Sequence, residues 1–521
     1  MTTSTAPFYN PEISYFGFGP DDHIGFASSL DERFVTEDEM RLLKALRSKL
    51  TTVVPKNKIK QGYYEAKQVI KHLDIAVPRV LTDIGTALGW GGTVVDVLDE
   101  RIDWLGWTID DDQLNGLDIA FDYNNLSVES GFAHVDALTT GCAMVTVGND
   151  DDGENQLIVV ESSSTATVLW DYRKRRSIAG LSQTYDENSN LVMETLYLEN
   201  ANIEFVRDPN THMMEVVNRD QHNIGRCFMT RIANRARPFQ RDGRSEITRT
   251  VRYLTDHAVR TVLGMEVNRE FYTAPQRFVL NADPADFGVK EDMSPTEKFA
   301  RGLSIAMGMV NIVPGREDTT EGDPVSVHEF KPQPPTPYIE ELKACASMIS
   351  TETGIPTSYL GFVTENPPSA DSIRQEEFRL VKRSMRRHGG FGLGWKEVAL
   401  LTLLARDGDA DTDFIRRLKC RFADPYTPTR AATADELTKM IQVGLLVPDS
   451  TVAYERYGLD ETEQRRLARD KQAFEAKKLR EEMQRQAMAA AQVARQENRG
   501  GSNAGNQAQK KPPTDANGSA Q

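Results

Sequence analysis

Ser245-Glu246-Ile247-Thr248-Arg249-Thr250-Val251-Arg252-Tyr253-Leu254 opens a stretch that runs to Tyr272, short of Pro275, and its reading sets the architecture. Ser245 suits an N-cap. Ile247, Val251, Leu254, Ala258, Val262 and Met265 then recur in steps of four, three, four, four and three. So narrow an apolar stripe on so long a helix demands a second helix as partner rather than a broad core. A matching helix is predicted over residues 338–353, with Ile339, Leu342, Ala346 and Ile349 on one face. Pro332, Pro334, Pro335 and Pro337 form a stiff polyproline-like strut leading into it. Between the two helices lies a mixed, turn-rich segment with a helical piece over residues 295–309.

On the N-terminal side, residues 1–30 lack periodicity and read as an irregular arm. Thr36-Glu37-Asp38-Glu39 reads as an N-cap with an acidic first turn, followed by Met40, Leu43, Leu46 and Leu50 at helical spacing. A second helix is expected from near Tyr63 through Ala66, Val69 and Ile70 to Pro78, and a third over residues 94–102. From Trp104 to about Met229 the texture is strand-like, clearest over residues 143–147, 157–160, 165–170, 178–184 and 191–198, with one helix over 126–138. The turn Gly148-Asn149-Asp150-Asp151-Asp152-Gly153 fails as a calcium loop, because Gly148 and Val159 stand where acidic ligands are needed. It reads as a hairpin turn.

On the C-terminal side, Phe362 and the loop Val363-Thr364-Glu365-Asn366-Pro367-Pro368 lead to a helix capped by Ser369. Its charge is the most uneven in the chain. Arg374, Arg379, Lys382, Arg383, Arg386 and Arg387 outnumber Asp371, Glu376 and Glu377, with Ile373, Leu380, Val381 and Met385 opposite. A second basic stretch holds Arg231, Arg235, Arg237, Arg241 and Arg244. Beyond Thr433 helices are predicted over residues 435–443, 449–457 and 460–498, and residues 500–521 read as a disordered tail.

Of 521 residues, 39% are hydrophobic and 27% charged, ordinary globular usage that argues against wholesale disorder. Lys and Arg number 62 against 77 Asp and Glu, a net charge of −15, which argues against tight binding of nucleic acid by the whole surface unless the basic residues are segregated. Cys142, Cys227, Cys345 and Cys420 are scattered without a C-x-x-C pair and read as buried thiols in a reducing compartment. No secretory signal and no membrane-length apolar run is read in the sequence, so a soluble protein with no membrane partner is expected. There is no phosphate loop, since Gly302 and Gly308 lack a following Lys and Ser/Thr, and no H-E-x-x-H or G-x-S-x-G motif. No catalytic residue, metal or cofactor is therefore indicated.

Several segments together carry a resemblance: Tyr63-Tyr64-Glu65-Ala66-Lys67 with Leu73-Asp74-Ile75-Ala76-Val77-Pro78; residues 94–107; and residues 125–148 with His134-Val135-Asp136-Ala137-Leu138. They continue with Gly243-Arg244-Ser245-Glu246-Ile247 through Ala274-Pro275-Gln276-Arg277, then Glu352-Thr353-Gly354-Ile355-Pro356 to Tyr359-Leu360-Gly361, and last Asn366-Pro367-Pro368-Ser369-Ala370 to Trp395. In order and spacing they resemble the portal, or head-to-tail connector, proteins of long-tailed double-stranded DNA bacteriophages.

The resemblance implies an α+β portal fold with wing, stem, clip and helical crown, assembling as a dodecameric ring at one capsid vertex of the virion, with host cytoplasm as the place of assembly. It implies a wing over 31–243, a first stem helix over 244–273, a clip over 274–331 and a second stem helix over 332–356. A tunnel loop and basic tunnel helix fall over 357–390, the completion of the wing over 391–430 and the crown over 431–499. The implied partners are further copies of the chain, double-stranded DNA in the channel, the terminase large subunit, the major capsid protein, a scaffolding protein and a head-tail adaptor. Arg374, Arg379, Lys382, Arg383, Arg386 and Arg387 are the candidate channel cations, with pairing to acidic groups of a neighbouring subunit as the equal alternative. Val363 to Pro368 would be the channel's narrowest element. A minor capsid or scaffold protein, or a nucleic-acid-processing enzyme, stand as the other readings of the residues.

Overall fold

The computed structural model describes residues 35–68, 86–110, 113–150, 152–209, 211, 214–273, 277–282, 285, 288, 292–298, 310–313, 325–329, 334–362, 370–426, 430–459 and 461–504. The expected arm, the tunnel loop 363–368 and most of the helical piece 295–309 lie outside them, as do Pro332 and the tail from 505 on. The chain divides into two units, Met1–Tyr426 and Thr427–Gln521.

The first unit opens with α1 (Glu37–Tyr64), started by a reciprocal cap: Thr36 Oγ1 accepts from the Glu39 N–H, and Glu39 Oε2 accepts from the Thr36 N–H at 2.8 Å. The helix passes through Pro55, so Tyr63 ends the first helix instead of starting a second. Residues 65–68 are turn and irregular chain, with Ala66 at φ +55°, so the expected second helix does not start here, and residues 69–78 lie outside the described residues. Next come α2 (Trp90–Asp99), β1 (Trp104–Thr108), α3 (Leu117–Tyr123) and α4 (Leu126–Thr140). Strands β2 (Cys142–Asn149) and β3 (Gln156–Glu161) form the hairpin read at Gly148–Gly153, and β9 (Met229–Ala233) pairs on the other edge of β2.

β4 (Ala166–Asp171), β5 (Arg176–Tyr185), β6 (Leu191–Leu198), β7 (Asn202–Arg207) and β8 (Met214–Asp220) make an antiparallel meander. Leu43 and Leu46 of α1 close one face of it, against Leu181, Leu196, Ile203 and Phe205. Arg47 of α1 reaches in to Glu194, which is fully buried.

α5 (Arg249–Thr273) and α6 (Thr336–Thr353) are the two long helices expected from their stripes. They run antiparallel: Thr248 meets Glu352 at 3.4 Å, His257 meets Glu341 at 2.7 Å, and Gly264 lies against the Tyr338 ring. Two details differ from the sequence reading. Thr248, not Ser245, caps α5, its Oγ1 accepting from the Val251 N–H at 3.3 Å; Ser245 instead donates to the Thr139 carbonyl at 2.5 Å. The buried surface also follows the four-residue ridge Val251, Thr255, Val259 and Leu263, leaving Val262 and Met265 half-buried. Ridges of this kind incline across the helix axis and fit a neighbour's grooves. Between the helices, β10 (Arg277–Leu280) is the centre of a small sheet, parallel to β11 (Val310–Val313) and antiparallel to β12 (Ser326–Glu329).

α7 (Ala370–Asp407) is one continuous helix of 38 residues, passing Gly389, Gly390, Gly392 and Gly394 unbroken. After α8 (Thr412–Arg417), β13 (Lys419–Phe422) pairs with β1. Gly394 lets α7 approach the β9 backbone, since a Cβ there would sit 3.1 Å from the Arg231 carbonyl oxygen.

The second unit holds α9 (Arg430–Gln442), α10 (Thr451–Tyr457) and α11 (Glu461–Ala504). Ser450 caps α10 through the Ala453 N–H, and Lys471 of α11 binds Asp449. α11 extends through Gly500-Gly501, where the sequence suggests the tail begins.

Candidate functional site

The basic residues of α7 are divided between two tasks. Glu246, one residue before Ile247 and 1% exposed, receives Arg383 at 2.6 Å, Arg387, and Arg235 at 3.1 Å, and accepts from Asn234 Nδ2 at 2.9 Å. Burial disfavours its charge, but the guanidiniums of Arg387, Arg383 and Arg235 outweigh that and hold the carboxyl down to about 2. Burial in turn pushes the Arg383 guanidinium below its ordinary value, with Glu246 opposing.

The same helix caps the end of α6. α6 ends at Gly354 in the left-handed region, φ +75°, and Arg379 lies across that glycine while donating to the Thr351 carbonyl at 2.7 Å. Arg383 donates to the Glu352 carbonyl at 3.1 Å. These carbonyls belong to the last turn, which has no helical donors of its own and carries the negative end of the helix dipole, so two cations there are doubly favourable. Arg383 thus joins α7, the foot of α5 and the end of α6.

The backbone at this joint is as constrained as the side chains. Gly243 has φ +81°, and a Cβ on it would come 2.1 Å from the Gly141 carbonyl oxygen and 2.6 Å from that of Asn234. Asn234 N–H donates to Gly141 O at 2.9 Å, Arg244 N–H to Asn234 O at 2.7 Å, and Glu246 N–H to Leu138 O at 2.8 Å. The chain entering α5 is therefore laced to the ends of α4 and β9.

Further along α7, Trp395 is fully buried, stacks on Trp104 at 4.3 Å and donates Nε1–H to His134 Nε2 at 3.0 Å. Trp107 donates to the Trp395 carbonyl at 2.9 Å. His134 stacks on Phe391, and burial pushes its pKa down to about 3, so the ring stays neutral and its other nitrogen bonds the Ile102 carbonyl. Arg101, 8% exposed, spans the Pro425 carbonyl, the Tyr359 hydroxyl and Glu377 at 2.9–3.0 Å.

Of the six candidate channel cations, Arg383 and Arg387 are thus engaged within their own subunit by Glu246, and Arg379 by the end of α6. Arg374, Arg379, Lys382 and Arg386 are solvent-exposed. The acidic partner of Arg383 and Arg387 lies in the same chain, which the alternative of a neighbouring subunit did not foresee. The other basic stretch is likewise split: Arg231 is buried between Asp242 and the Trp170 ring, at 4.0 Å from its centroid, while Arg237 and Arg241 are exposed. Cys142, Cys227 and Cys345 are buried and Cys420 half-buried; burial raises the thiols of Cys142, Cys227 and Cys420 to about 12, leaving them unreactive. Among the described residues no cluster of His, Cys, Asp or Glu is assembled for a metal ion, and no helix is long and apolar enough to cross a membrane.

The residues brought together here lock helices to one another. Residues 103–486 match the family model described as phage portal protein, SPP1 Gp6-like, and the chain belongs to that family. The portal protein of Mycobacterium phage D29 is 28% identical over 390 residues, covering 73% of this chain and 77% of the relative, and that of Mycobacterium phage L5 is 27% identical over the same length. Among solved structures, a chain from the virion of a native gene transfer agent particle shares 13% identity at a TM-score of 0.42, covering 77% of this chain and 99% of that one. A chain from the neck of an empty particle of that kind shares 12% at 0.40, covering 71% and 90%. Portal proteins are structural, non-enzymatic components of the virion at the capsid vertex.

Proposed function

We propose that this portal protein closes into a ring, dodecameric in the assembled head, whose channel passes double-stranded DNA inward during packaging and outward during ejection. Assembly takes place in the host cytoplasm, with scaffolding and major capsid proteins around the wing. The terminase large subunit and later a head-tail adaptor dock on the clip around β10–β12. The observation that carries the channel reading is the division of charge on α7. Each lasting phosphate contact adds a salt-sensitive attraction that would hold DNA in register. With Arg383 and Arg387 turned to Glu246 inside the subunit, the exposed cations of the helix are Arg374, Arg379, Lys382 and Arg386, enough to centre a sliding duplex without gripping it.

Lys382 and Arg386 have no ion pair among the described residues, so replacing both with Gln removes channel charge at little cost to the subunit. The expected result is intact heads with shortened packaged genomes; heads that fill normally would sink the belt. The short, polar, proline-containing stretch Val363-Thr364-Glu365-Asn366-Pro367-Pro368 is assigned to the narrowest part of the channel. Electron microscopy of purified protein tests the ring itself, and a ring with that stretch at its outer rim overturns the assignment.

A further inference from the structure

Phe239, 101% exposed, is the most exposed large apolar side chain among the described residues. It stands on a turn that folding has already fixed. Arg237 N–H donates to the Gln240 carbonyl at 2.9 Å and Gln240 N–H to the Arg237 carbonyl at 3.0 Å, with Pro238 and Phe239 at the tip. The approach to the turn is held by Arg231 on Asp242 and by Arg235 on Glu246. A ring presented on a closed turn loses little freedom on docking, which suits it as a binding anchor. Arg237 and Arg241 flank it, exposed and without an ion pair among the described residues.

The chain carries the complement of this turn on α3 and α4. Ile119 and Tyr123 are exposed one turn apart on α3, as are Val128 and Phe132 on α4, Phe132 to 59%. Asp118, Asp122 and Glu129 stand beside them in sequence, and none of the three has an ion pair among the described residues. Apolar side chains set among unneutralised carboxylates match an apolar anchor set among unneutralised guanidiniums. The two surfaces lie toward opposite ends of α4. The turn is tied to the C-terminal end, where Asn234 N–H donates to Gly141 O at 2.9 Å, while Val128 belongs to the first turn of the helix, about 20 Å away along its axis. A contact between them joins unlike surfaces of two copies head to tail, the kind that propagates into a ring instead of closing on a pair. We infer that the Phe239 turn of one copy docks on the α3–α4 face of the next, with Phe239 against Val128 and Phe132 and with Arg237 and Arg241 facing Asp118, Asp122 and Glu129. The contact rests on the ring proposed above and names one of the surfaces that build it.

Cysteine cross-linking of the full-length protein tests it, against a background of three buried and one half-buried native thiols. Co-expressed Phe239→Cys and Phe132→Cys chains should link on oxidation, while neither variant alone should. A chain carrying both should give a ladder extending beyond the dimer, because each copy offers one of each surface. Phe239→Ala should weaken assembly about 10-fold with an unfolding midpoint equal to wild type. Arg237→Glu with Arg241→Glu should weaken it about 2- to 5-fold, and adding Asp118→Arg with Asp122→Arg should restore it. A ladder that stops at the dimer would show a reciprocal pair. Linking no greater than that of Phe239→Cys with Val217→Cys, at an exposed site on β8, would show that something else occupies this face; either result overturns the inference. Electron microscopy separates it from the ring itself: closed rings without the link refute this contact alone, and a ladder without closed rings refutes the ring and leaves the contact standing.

Discussion

Replacing Glu246 by Gln keeps the side chain's shape and removes the charge on which three arginines converge. The magnitude follows from the site. Folding takes the carboxyl from its ordinary 4.5 to about 2, which by linkage is worth about 3 kcal/mol at neutral pH. Leaving buried cations without their counter-charge costs about 3–5 kcal/mol in comparable sites, and Arg383 and Arg387 are 16% and 5% exposed. A loss of about 3 kcal/mol is therefore expected, read from urea unfolding followed by tryptophan fluorescence, since Trp395 and Trp104 lie in the same packed unit. The sign is fixed by the direction of the shift. A depressed carboxyl stabilises fully above its unfolded pKa of 4.5 and loses that contribution as pH falls toward 2, so wild type and variant should converge on acidification. A difference below about 1 kcal/mol at pH 7, or one that does not shrink in acid, would refute the view of Glu246 as the charge that joins the foot of α5 to α7.

Gly243→Ala should destabilise the subunit by at least about 2 kcal/mol, because the added methyl would overlap the Gly141 carbonyl at a φ of +81°; a thermal midpoint matching wild type would contradict this. Trp395→Ala should cost about 3–5 kcal/mol by emptying the fully buried site against Trp104, measured by the same urea titration. His134→Gln keeps an acceptor for the Trp395 N–H but cannot be protonated. Since the folded His134 pKa is lowered to about 3, wild type should lose stability as pH falls from 6.5 toward 3 while the variant is flatter over that window; parallel curves would exclude His134 as the source. Phe239→Ala, at a ring 101% exposed, should leave subunit stability within about 0.5 kcal/mol of wild type, and a larger change in unfolding would show hidden packing.

Periodicity carried most of what was legible. The α1 stripe, α5 and α6 emerged because each buries one face and so repeats at about 3.6 residues, and the five clearest strands emerged as short apolar runs between polar turns. β1, β7 and β8 were not singled out because they carry mixed faces, such as Leu105 exposed between buried Trp104 and Trp107. The joint at Glu246 was out of reach for a different reason. Its members Arg235, Glu246, Thr351, Arg383 and Arg387 are gathered from separate parts of the chain, and a lone acid at the head of a basic helix shows nothing of its burial. Two signals did exist: Gly354 after Thr353 announces a helix end in need of donors, and the excess of arginine on α7 offers them. Read only as net charge, that excess pointed outward to DNA, while Arg383 and Arg387 turn inward to Glu246.

At about 1.5 Å per residue, α7 is a rod some 57 Å long, bolted near its middle at Arg383 and Arg387 and cemented beyond that by Phe391 and Trp395. A push on its N-terminal end, which Glu377 ties to Arg101 and Arg379 to the end of α6, meets no glycine hinge, because the glycines at 389, 390, 392 and 394 lie beyond the bolt and Gly394 is pressed against β9. Force on that end would thus be felt as torque on the foot of α5 and the end of α6, and so on the angle at which those two helices stand.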